Sequence, residues 1–547
     1  MILILMGLLV ASRGLERLNT WYLASDQFAF LTMAEDLRAG RITHTDELYD
    51  FMPRWHPGPF DALAQTYHLR HGVLHSRYPP GFPLLLAGVG RVFGETGEHW
   101  LNPFLYILIL LVLPLLAFSS LRSVEPILGW ATAAASVWLL LLLPTDVHLW
   151  GITVARDLPA HLFGLIALLA AVSGRFGWAG LALGLACTVR PDSALYAASL
   201  GAIALVRGGV LAAAGWGALG FFVGAAPLFA YNWALLGNPF SFTQGNEFDF
   251  FLASLPSFPS VAHASTSSVP AGGGFRAAHF VGTMPGNLAH LRGSFGWFLV
   301  PAVLGSAWGL RRARMLVAVF LPYAAVAVVF YGFWGHPDPR YLAGVSLCLM
   351  PPVATGLVIG ARLVLLGRMK LVASMLPAIV LAGWGLWLFS QGTGWRDPYP
   401  REQIRRSASV VEQFVPPGSL LVTTPALGRP AENISHYTGV RAVYSSELTM
   451  MPVDPSHPAV YHTLRGRRVF YLLPSGNKQV LAQLDHSLET REVRRVTGSE
   501  ALDWFLNPSR ARTGAVLYEV ELGPAYDAVI RAHDQLIERG QLPERAR

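Results

Sequence analysis

The chain has little cysteine, little lysine and little charge of either sign. Its 547 residues include two cysteines, Cys187 and Cys348, and both lie inside apolar runs. A disulfide framework and a CxxC metal site are therefore excluded as organising features. Charged residues make up 14% of the chain and hydrophobic residues 53%, a balance unlike that of an ordinary soluble protein. The C-terminal part lacks a Gly-rich phosphate loop, an HExxH motif and a GxSxG motif, so we expect it to be accessory.

Long apolar runs take the place of these features. A helix that spans a bilayer needs about 20 apolar residues, and the sequence offers about 11 candidate spans, at 1–12, 101–121, 127–144, 158–173, 176–189, 193–206, 210–236, 296–310, 315–334, 341–361 and 371–390. The runs at 176–189 and 193–206 are short enough to form a re-entrant hairpin. We therefore predict an all-α polytopic membrane protein.

The charges between the runs alternate. Every second break is basic, and the one carboxylate among these basic breaks is Glu125; their basic residues are Arg122, Arg175, Arg207, Arg311, Arg312, Arg314, Arg362, Arg368 and Lys370. The breaks between them hold the carboxylates together with single arginines: Asp146, Arg156 and Asp157, then Arg190 and Asp192, then Asp338 and Arg340. Because Arg and Lys of short loops stay in the cytoplasm, the carboxylates are predicted on the outer face. The same retention explains the net charge of +7 without nucleic acid as a partner.

Three polar segments lie outside the predicted membrane. Residues 21–99 and 237–295 form two outer loops, and the Ser-, Pro- and Gly-rich stretch 254–274 of the second is a candidate lid over the acceptor side. Residues 391–547 mix helix-like stretches at 401–414, 478–488 and 524–538 with β-rich runs at 419–424, 468–473 and 515–520, and they predict an extracytoplasmic α/β domain. The predicted domains are thus a transmembrane domain at 1–390 and a soluble domain at 391–547.

The first outer loop opens with an amphipathic pattern. Phe30, Met33, Ala34 and Leu37 recur at helical spacing, and Gly40 is a plausible helix end. An interfacial helix would begin at Ser25 or Asp26, so from these residues alone Asp26 is either a helix cap or a functional carboxylate.

Further along, Arg77-Tyr78-Pro79-Pro80 would open a second interfacial helix that ends near Gly94. With this segment the chain resembles the GT-C glycosyltransferases, in particular the bacterial branch related to protein O-mannosyltransferases and the lipid A aminoarabinose transferase. The resemblance rests on the order of loose motifs: an acidic motif after the first span, a double-proline segment, and the matching stretches 237–241, 293–301 and 339–342.

Three departures from this branch stand out. Asp26-Gln27 replaces an Asp-Glu pair, Ala29-Phe30 stands where the aminoarabinose transferases have Arg-Tyr, and Tyr78 replaces a lysine before the prolines. They argue against that particular subfamily and leave the sugar open.

The resemblance implies the GT-C fold and transfer of a hexosyl or pentosyl group from a polyprenyl-phosphate carrier. The acceptor would be a hydroxyl of a glycan, lipid or protein on the outer face of a bacterial plasma membrane. Asp26 matches the first acidic motif and would be the base. Asp157 matches a second acid that orients the acceptor or holds a metal, and its alternative role is a favourable charge at a helix N-terminus. No cofactor is certain, and a divalent ion at Asp26 or Asp157 stays open.

The growing charge on the leaving phosphate requires cations, and Arg77, Arg190 and Arg340 are the candidates. All three lie at predicted outer span ends, where arginines also occur without a function. Arg190 is flanked by short spans, which would place it below the membrane surface, where a charge usually has a role.

Other readings remain open at this point. The histidines of the first loop have generic spacings, so a solvated loop is favoured over a metal site; they are His44, His56, His68, His71 and His75. A lipid-linked sugar transporter would need ionisable groups within the spans, which hold almost none beyond His161. A polysaccharide polymerase or ligase is a closer alternative.

Overall fold

The computed structural model describes residues 1–18, 23, 25–45, 66–70, 73–143, 147, 153–240, 279–334, 338–365, 369–391, 401–423, 430–444, 468–474, 489–496, 514–521 and the single positions 531, 535 and 539. The chain divides into two compact units. The first draws on residues 1–19, 79–245 and 269–397, and the second on residues 20–78, 246–268 and 398–547. The predicted lid at 254–274 and the predicted outer residue Asp146 lie outside the described residues.

The first unit is helical. Its helices are Ile2–Leu18, Gly81–Leu121, Pro126–Leu142, Asp157–Val172, Phe176–Val189, Ala197–Arg207, Val210–Leu236, His279–Phe295, Leu299–Arg312, Arg314–Gly332, Ala343–Val364 and Lys370–Ser390. Short 3₁₀ turns at Pro191–Tyr196, Gly296–Phe298 and Pro339–Leu342 connect some of them.

Six continuous helical segments among the described residues are long and apolar enough to cross a membrane: Gly81–Leu121, Val210–Leu236, His279–Arg312, Arg314–Gly332, Pro339–Val364 and Lys370–Ser390. Four shorter apolar helices lie at Ile2–Leu15, Pro126–Leu142, Asp157–Val172 and Phe176–Val189. This shows a multi-pass helical membrane protein, and the number of about 11 spans stays a prediction. The helix His279–Phe295 lies within the predicted second outer loop, where the sequence analysis predicted no helix.

The segment after the double proline behaves as predicted. Its helix begins at Gly81, directly after Pro80, and the 41-residue stretch to Leu121 is broken at Gly94, whose φ of 67° and ψ of −166° are not helical. Glycine adopts a positive φ at no steric cost, so the first part of this helical stretch ends at the predicted residue, and its position at the membrane interface stays a prediction.

Small residues allow two of the helices to approach closely. Phe176–Val189 packs against Val210–Leu236, and a Cβ on Gly184 would lie 2.7 Å from the backbone nitrogen of Ala225. Because glycine has no side chain, the two backbones are in direct contact at this point. Such close packing drives the association of helices in lipid, where the hydrophobic effect does not.

The predicted cytoplasmic breaks meet within this unit. Arg362 Nη1 and Nη2 donate to the two Glu125 carboxylate oxygens at 2.8 Å each, and Lys370 Nζ lies 3.2 Å from Glu125 Oε1. Arg207 Nη1 donates to the carbonyl of Val172, beside the basic break at Arg175. The basic breaks joined by these interactions thus share an end of the helices, as the alternation predicts.

The second unit combines a helix, a hairpin and a mixed sheet. The helix is Ser25–Arg38, and strands β1 (Tyr67–Arg70) and β2 (Val73–Ser76) form an antiparallel hairpin. The sheet has the order β4-β3-β5-β7-β6, with β3 at Leu420–Thr423, β4 at Arg441–Tyr444, β5 at Val469–Pro474, β6 at Glu489–Val496 and β7 at Ala515–Glu521. β3 is parallel to β4 and β5, whereas β7 is antiparallel to β5 and β6.

The tail therefore has the mixed α/β structure that its sequence predicts. Helix Arg401–Phe414 has the predicted bounds, and helix Pro430–Tyr437 connects β3 to β4 as a βαβ unit requires. Its core is apolar and includes Val411, Val415, Leu421, Ile434, Phe470, Leu472 and Leu517. The predicted helices at 478–488 and 524–538 lie outside the described residues, apart from single positions.

The tail is not isolated from the first loop. The Asn433 side chain accepts a hydrogen bond from the Leu23 backbone nitrogen and donates one to the Leu23 carbonyl, both at 2.9 Å. The second unit thus includes residues on both sides of the predicted boundary between 390 and 391.

Candidate functional site

Asp26 and Tyr78 are joined in the second unit. Helix Ser25–Arg38 places Asp26 in its first turn, and the Tyr78 hydroxyl donates to Asp26 Oδ1 at 2.6 Å. Asp26 is half-buried and Tyr78 is buried, with its ring 4.7 Å from that of Phe30. The acidic motif and the double-proline segment, 52 residues apart in the sequence, therefore meet.

The helix that carries Asp26 is more buried than its sequence pattern indicates. All residues from Gln27 to Ala34 are buried, including Phe28, Leu31 and Met33 on different sides of the helix. The interfacial prediction allowed one buried stripe. Burial around the whole circumference, including the polar Gln27 and Thr32, shows that this part of the helix packs into protein, which gives Asp26 a rigid support.

The far end of the same helix is anchored by a buried carboxylate. Asp36 accepts hydrogen bonds from Arg41 Nε and Nη2 at 3.1 and 2.6 Å, and its Oδ2 lies 2.8 Å from His44 Nδ1. His44 also pairs through its backbone with Leu74 of the hairpin. These interactions give His44 a structural role, while His56 and the side chains of His68 and His71 lie outside the described residues.

Arg77 belongs to the same segment as Tyr78. Its backbone nitrogen donates to the Thr66 carbonyl at 2.9 Å, and its side chain is half-buried. The hairpin β1–β2 thereby fixes the chain just before the prolines.

Asp157 and Arg190 are brought together in the first unit. Asp157 begins a helix, and Arg190 lies between Phe176–Val189 and the 3₁₀ turn Pro191–Tyr196. Arg190 Nη1 donates to Asp157 Oδ1, while its Nε and Nη2 donate to Asp192 Oδ1 and Oδ2 at 3.0 and 2.5 Å. Arg190 Nη2 also lies 3.1 Å from the hydroxyl of Tyr331, which itself donates to Asp192. We call these four side chains the arginine clamp.

The arginine clamp holds two carboxylates with one guanidinium. The side chains of Arg190 and Asp157 are 5% and 7% exposed. Burial raises the pKa of Asp192, but the positive charge of Arg190 and the hydrogen bonds from Arg190 and Tyr331 outweigh it and lower the pKa to about 2. Asp192 is therefore ionised at neutral pH.

Arg340 is linked to the arginine clamp through stacked rings. Its guanidinium lies 4.9 Å from the centre of the Tyr341 ring, which stacks on Tyr331 at 5.0 Å and 13°. Arg340 Nε is 2.9 Å from Asp338 Oδ2, and the Arg340 side chain is 27% exposed. Arg340 is thus more accessible than Arg190.

Sequence reasoning missed three residues in and beside the arginine clamp: Asp192, Tyr331 and Tyr341. Asp192 stands two residues from Arg190, and Tyr341 lies inside the Pro-Arg-Tyr-Leu match, so both had a local signal. Tyr331 is 141 residues from Arg190 and ends an apolar helix, where tyrosine is ordinary. The predicted site residues form two groups, Asp26 with Arg77 and Tyr78 in one unit and Asp157 with Arg190 and Arg340 in the other.

No family model matches the sequence, and no curated protein matches it. Solved structures do match. The chain is similar to ArnT from Cupriavidus metallidurans bound to undecaprenyl phosphate, with a TM-score of 0.58, 14% identity, and coverage of 96% of this chain and 98% of that one. The apo state of the same ArnT gives a TM-score of 0.56 at 13% identity, over 95% and 97% of the two chains.

A second similarity is to an oligosaccharyltransferase from Archaeoglobus fulgidus in complex with Zn and sulfate. The TM-score is 0.51 at 13% identity, over 98% of this chain and 77% of that one. ArnT and this oligosaccharyltransferase are both GT-C glycosyltransferases. At such identities the likeness concerns the fold, and the chain has the GT-C fold that its motif order predicted.

Proposed function

We propose that this protein is a membrane glycosyltransferase that moves a sugar from a polyprenyl-phosphate donor to an acceptor hydroxyl. The observation that carries the proposal is the hydrogen bond between Tyr78 and Asp26, because it joins the two motifs on which the GT-C resemblance rests. The structurally similar ArnT binds undecaprenyl phosphate, which supports a lipid phosphate as the donor. The acceptor is a glycan, lipid or protein at the outer face of a bacterial plasma membrane, where the tail would also lie.

Asp26 is the base in this proposal. The acceptor hydroxyl gives its proton to the Asp26 carboxylate while its oxygen bonds to C1 of the sugar and the bond from C1 to the phosphate oxygen breaks. The lipid phosphate leaves as an anion, so no general acid is needed. A helix of buried residues holds the carboxylate in place, which is the pre-organisation that such a step requires.

The leaving phosphate needs cationic donors, and Arg77, Arg190 and Arg340 are the proposed ones. The three arginines differ in their existing hydrogen-bond partners and in their exposure, which decides how available each is to a phosphate. Arg190 already donates to Asp157, Asp192 and Tyr331, whereas Arg340 is 27% exposed and lies at the edge of the group, against the Tyr341 ring. We therefore place Arg340 and Arg77 ahead of Arg190 as phosphate ligands, and we assign Arg190 mainly to holding Asp157.

Asp157 is the proposed second acid, with an orienting role. Its Oδ1 accepts from the Arg190 guanidinium. A cation at this oxygen disfavours a divalent ion at the same place, so no step here depends on a metal.

The test is Asp26→Asn in the purified full-length protein, assayed for transfer of label from a pool of polyprenyl-phosphate sugars to membrane acceptors. Asparagine has nearly the same shape as aspartate, and loss of the negative charge in the first turn of the helix costs only about 0.3–1 kcal/mol, so the variant should accumulate normally. Transfer should fall roughly 100-fold or more, the usual scale for a positioned base. Glu35→Gln is the matched control, because Glu35 is an exposed carboxylate of the same helix, and it should transfer as the wild type does.

Wild-type transfer by Asp26→Asn would remove Asp26 as the base and leave Asp157 as the leading acid. Movement of lipid-linked sugar across vesicles without any transfer product would favour a transporter instead.

A further inference from the structure

Tyr78 occupies an unusual position relative to the proposed base. Its hydroxyl donates to Asp26 Oδ1 at 2.6 Å, a distance typical of a hydrogen bond from a hydroxyl to a carboxylate. The donor is a neutral phenol, so it adds a hydrogen bond to the carboxylate without adding a positive charge.

The backbone around Tyr78 is fixed from several directions. The Tyr78 nitrogen donates to Ser76 Oγ at 3.1 Å, and the preceding Arg77 nitrogen donates to the Thr66 carbonyl. Pro79 follows, and a residue before proline is restricted to extended conformations. The Tyr78 ring is buried and packs on Phe30 of the helix that carries Asp26. The hydroxyl therefore has little freedom to leave the carboxylate.

A phenol that donates to a carboxylate contributes one directional hydrogen bond and no net charge. Because Tyr78 holds Oδ1, it can set the orientation of the whole Asp26 carboxylate relative to the acceptor.

We infer that Tyr78 is a positioning residue for the Asp26 base: its hydrogen bond to Oδ1 fixes the orientation in which the carboxylate takes the acceptor proton. The inference rests on the proposed function. It also assigns the cationic stabilisation of the phosphate to arginines, because Tyr78 carries no positive charge.

Tyr78→Phe tests this inference, since it removes the hydroxyl and keeps the ring against Phe30. Steady-state transfer by the full-length protein should show kcat reduced roughly 10- to 100-fold, the scale of a hydrogen bond to a charged group. The KM for the lipid donor should stay within about twofold, because the change affects a proton transfer and not donor binding. Tyr67→Phe is the matched control. Tyr67 is also buried, and its hydroxyl lies 3.5 Å from the Ala29 carbonyl of the same helix, so this variant should keep the wild-type kcat.

A second measurement separates positioning from mere folding. Asp26→Glu shifts the carboxylate by one methylene and should retain partial activity. If Tyr78 acts through Asp26, adding Tyr78→Phe to Asp26→Glu should cost less than about threefold, because the two changes affect one hydrogen bond. An equal fall in kcat in both backgrounds, or a wild-type kcat in Tyr78→Phe, would overturn the inference. The proposed function fails separately, through an active Asp26→Asn.

Discussion

Removal of Arg190 is the perturbation whose effect the structure defines best. Arg190→Ala leaves the carboxylates of Asp157 and Asp192 without their shared cation, in surroundings where the Asp157 side chain is only 7% exposed. Removing one partner of a buried ion pair usually costs about 3–5 kcal/mol. The Arg190 guanidinium connects the helix Asp157–Val172 to the turn after Val189 and to Tyr331. Its removal should therefore lower the stability of the first unit as a whole.

The expected result is a lower midpoint of thermal unfolding in detergent, by on the order of 5–8 °C. Arg340→Ala is the matched control: it removes the same kind of side chain, but the ion pair with Asp338 is 27% exposed on both sides. Exposed pairs contribute about 0–1 kcal/mol, so this midpoint should move little.

A double variant checks the cause. Arg190→Ala combined with Asp157→Asn removes one of the stranded charges, so it should be more stable than the sum of the two single changes predicts. Equal midpoints for Arg190→Ala and Arg340→Ala would refute the reasoning, and additive destabilisation in the double variant would show that Arg190 stabilises the unit by packing alone.

Two further predictions concern backbone packing and acid. Gly81→Ala should lower the unfolding midpoint, because its Cβ would lie 2.6 Å from the Thr188 carbonyl carbon and oxygen, whereas Gly88→Ala, with open space around it, should not. Protonation of Asp192 should destabilise the protein only in strong acid. The pKa of Asp192 is lowered to about 2 in the folded protein from roughly 3.9 in the unfolded chain. The stabilisation that ionised Asp192 contributes is therefore present above about pH 4 and is lost as the pH falls towards 2. Midpoints measured from pH 7 to pH 3 should therefore decline in the wild type and less steeply in Asp192→Asn; parallel curves would contradict this.

Local sequence patterns correctly predicted those helices, strands and helix breaks that depend on residues close together in the sequence. Helix Arg401–Phe414 and strands β3, β5 and β7 lie where periodicity placed them. The break at Gly94 was also predictable, since a double proline opens that helix and glycine tolerates a positive φ.

The burial of the Asp26 helix was not predictable in the same way. The sequence favours a helix, but residues 27–34 are buried on all sides, which requires contacts with segments distant in the sequence. Such burial depends on tertiary packing, and the helical periodicity of a sequence does not report which other segments pack against the helix. The bond from Tyr78 to Asp26 has the same origin, because nothing at either position specifies the other.

Charge patterning carries tertiary information of a limited kind. A charge among apolar helices is costly unless it meets a partner, and the partners available to a loop are the loops at the same end of the helices. Glu125, the one carboxylate of the predicted inner breaks, accordingly lies with Arg362 and Lys370, and Asp157 lies with Arg190 of another outer break. The alternation of charge can therefore tell which residues share an end. Which of these residues are in contact depends on which helices are neighbours. Close backbone approaches such as the one at Gly184 determine the neighbours, and they involve no charged residue that the pattern of charges could reveal.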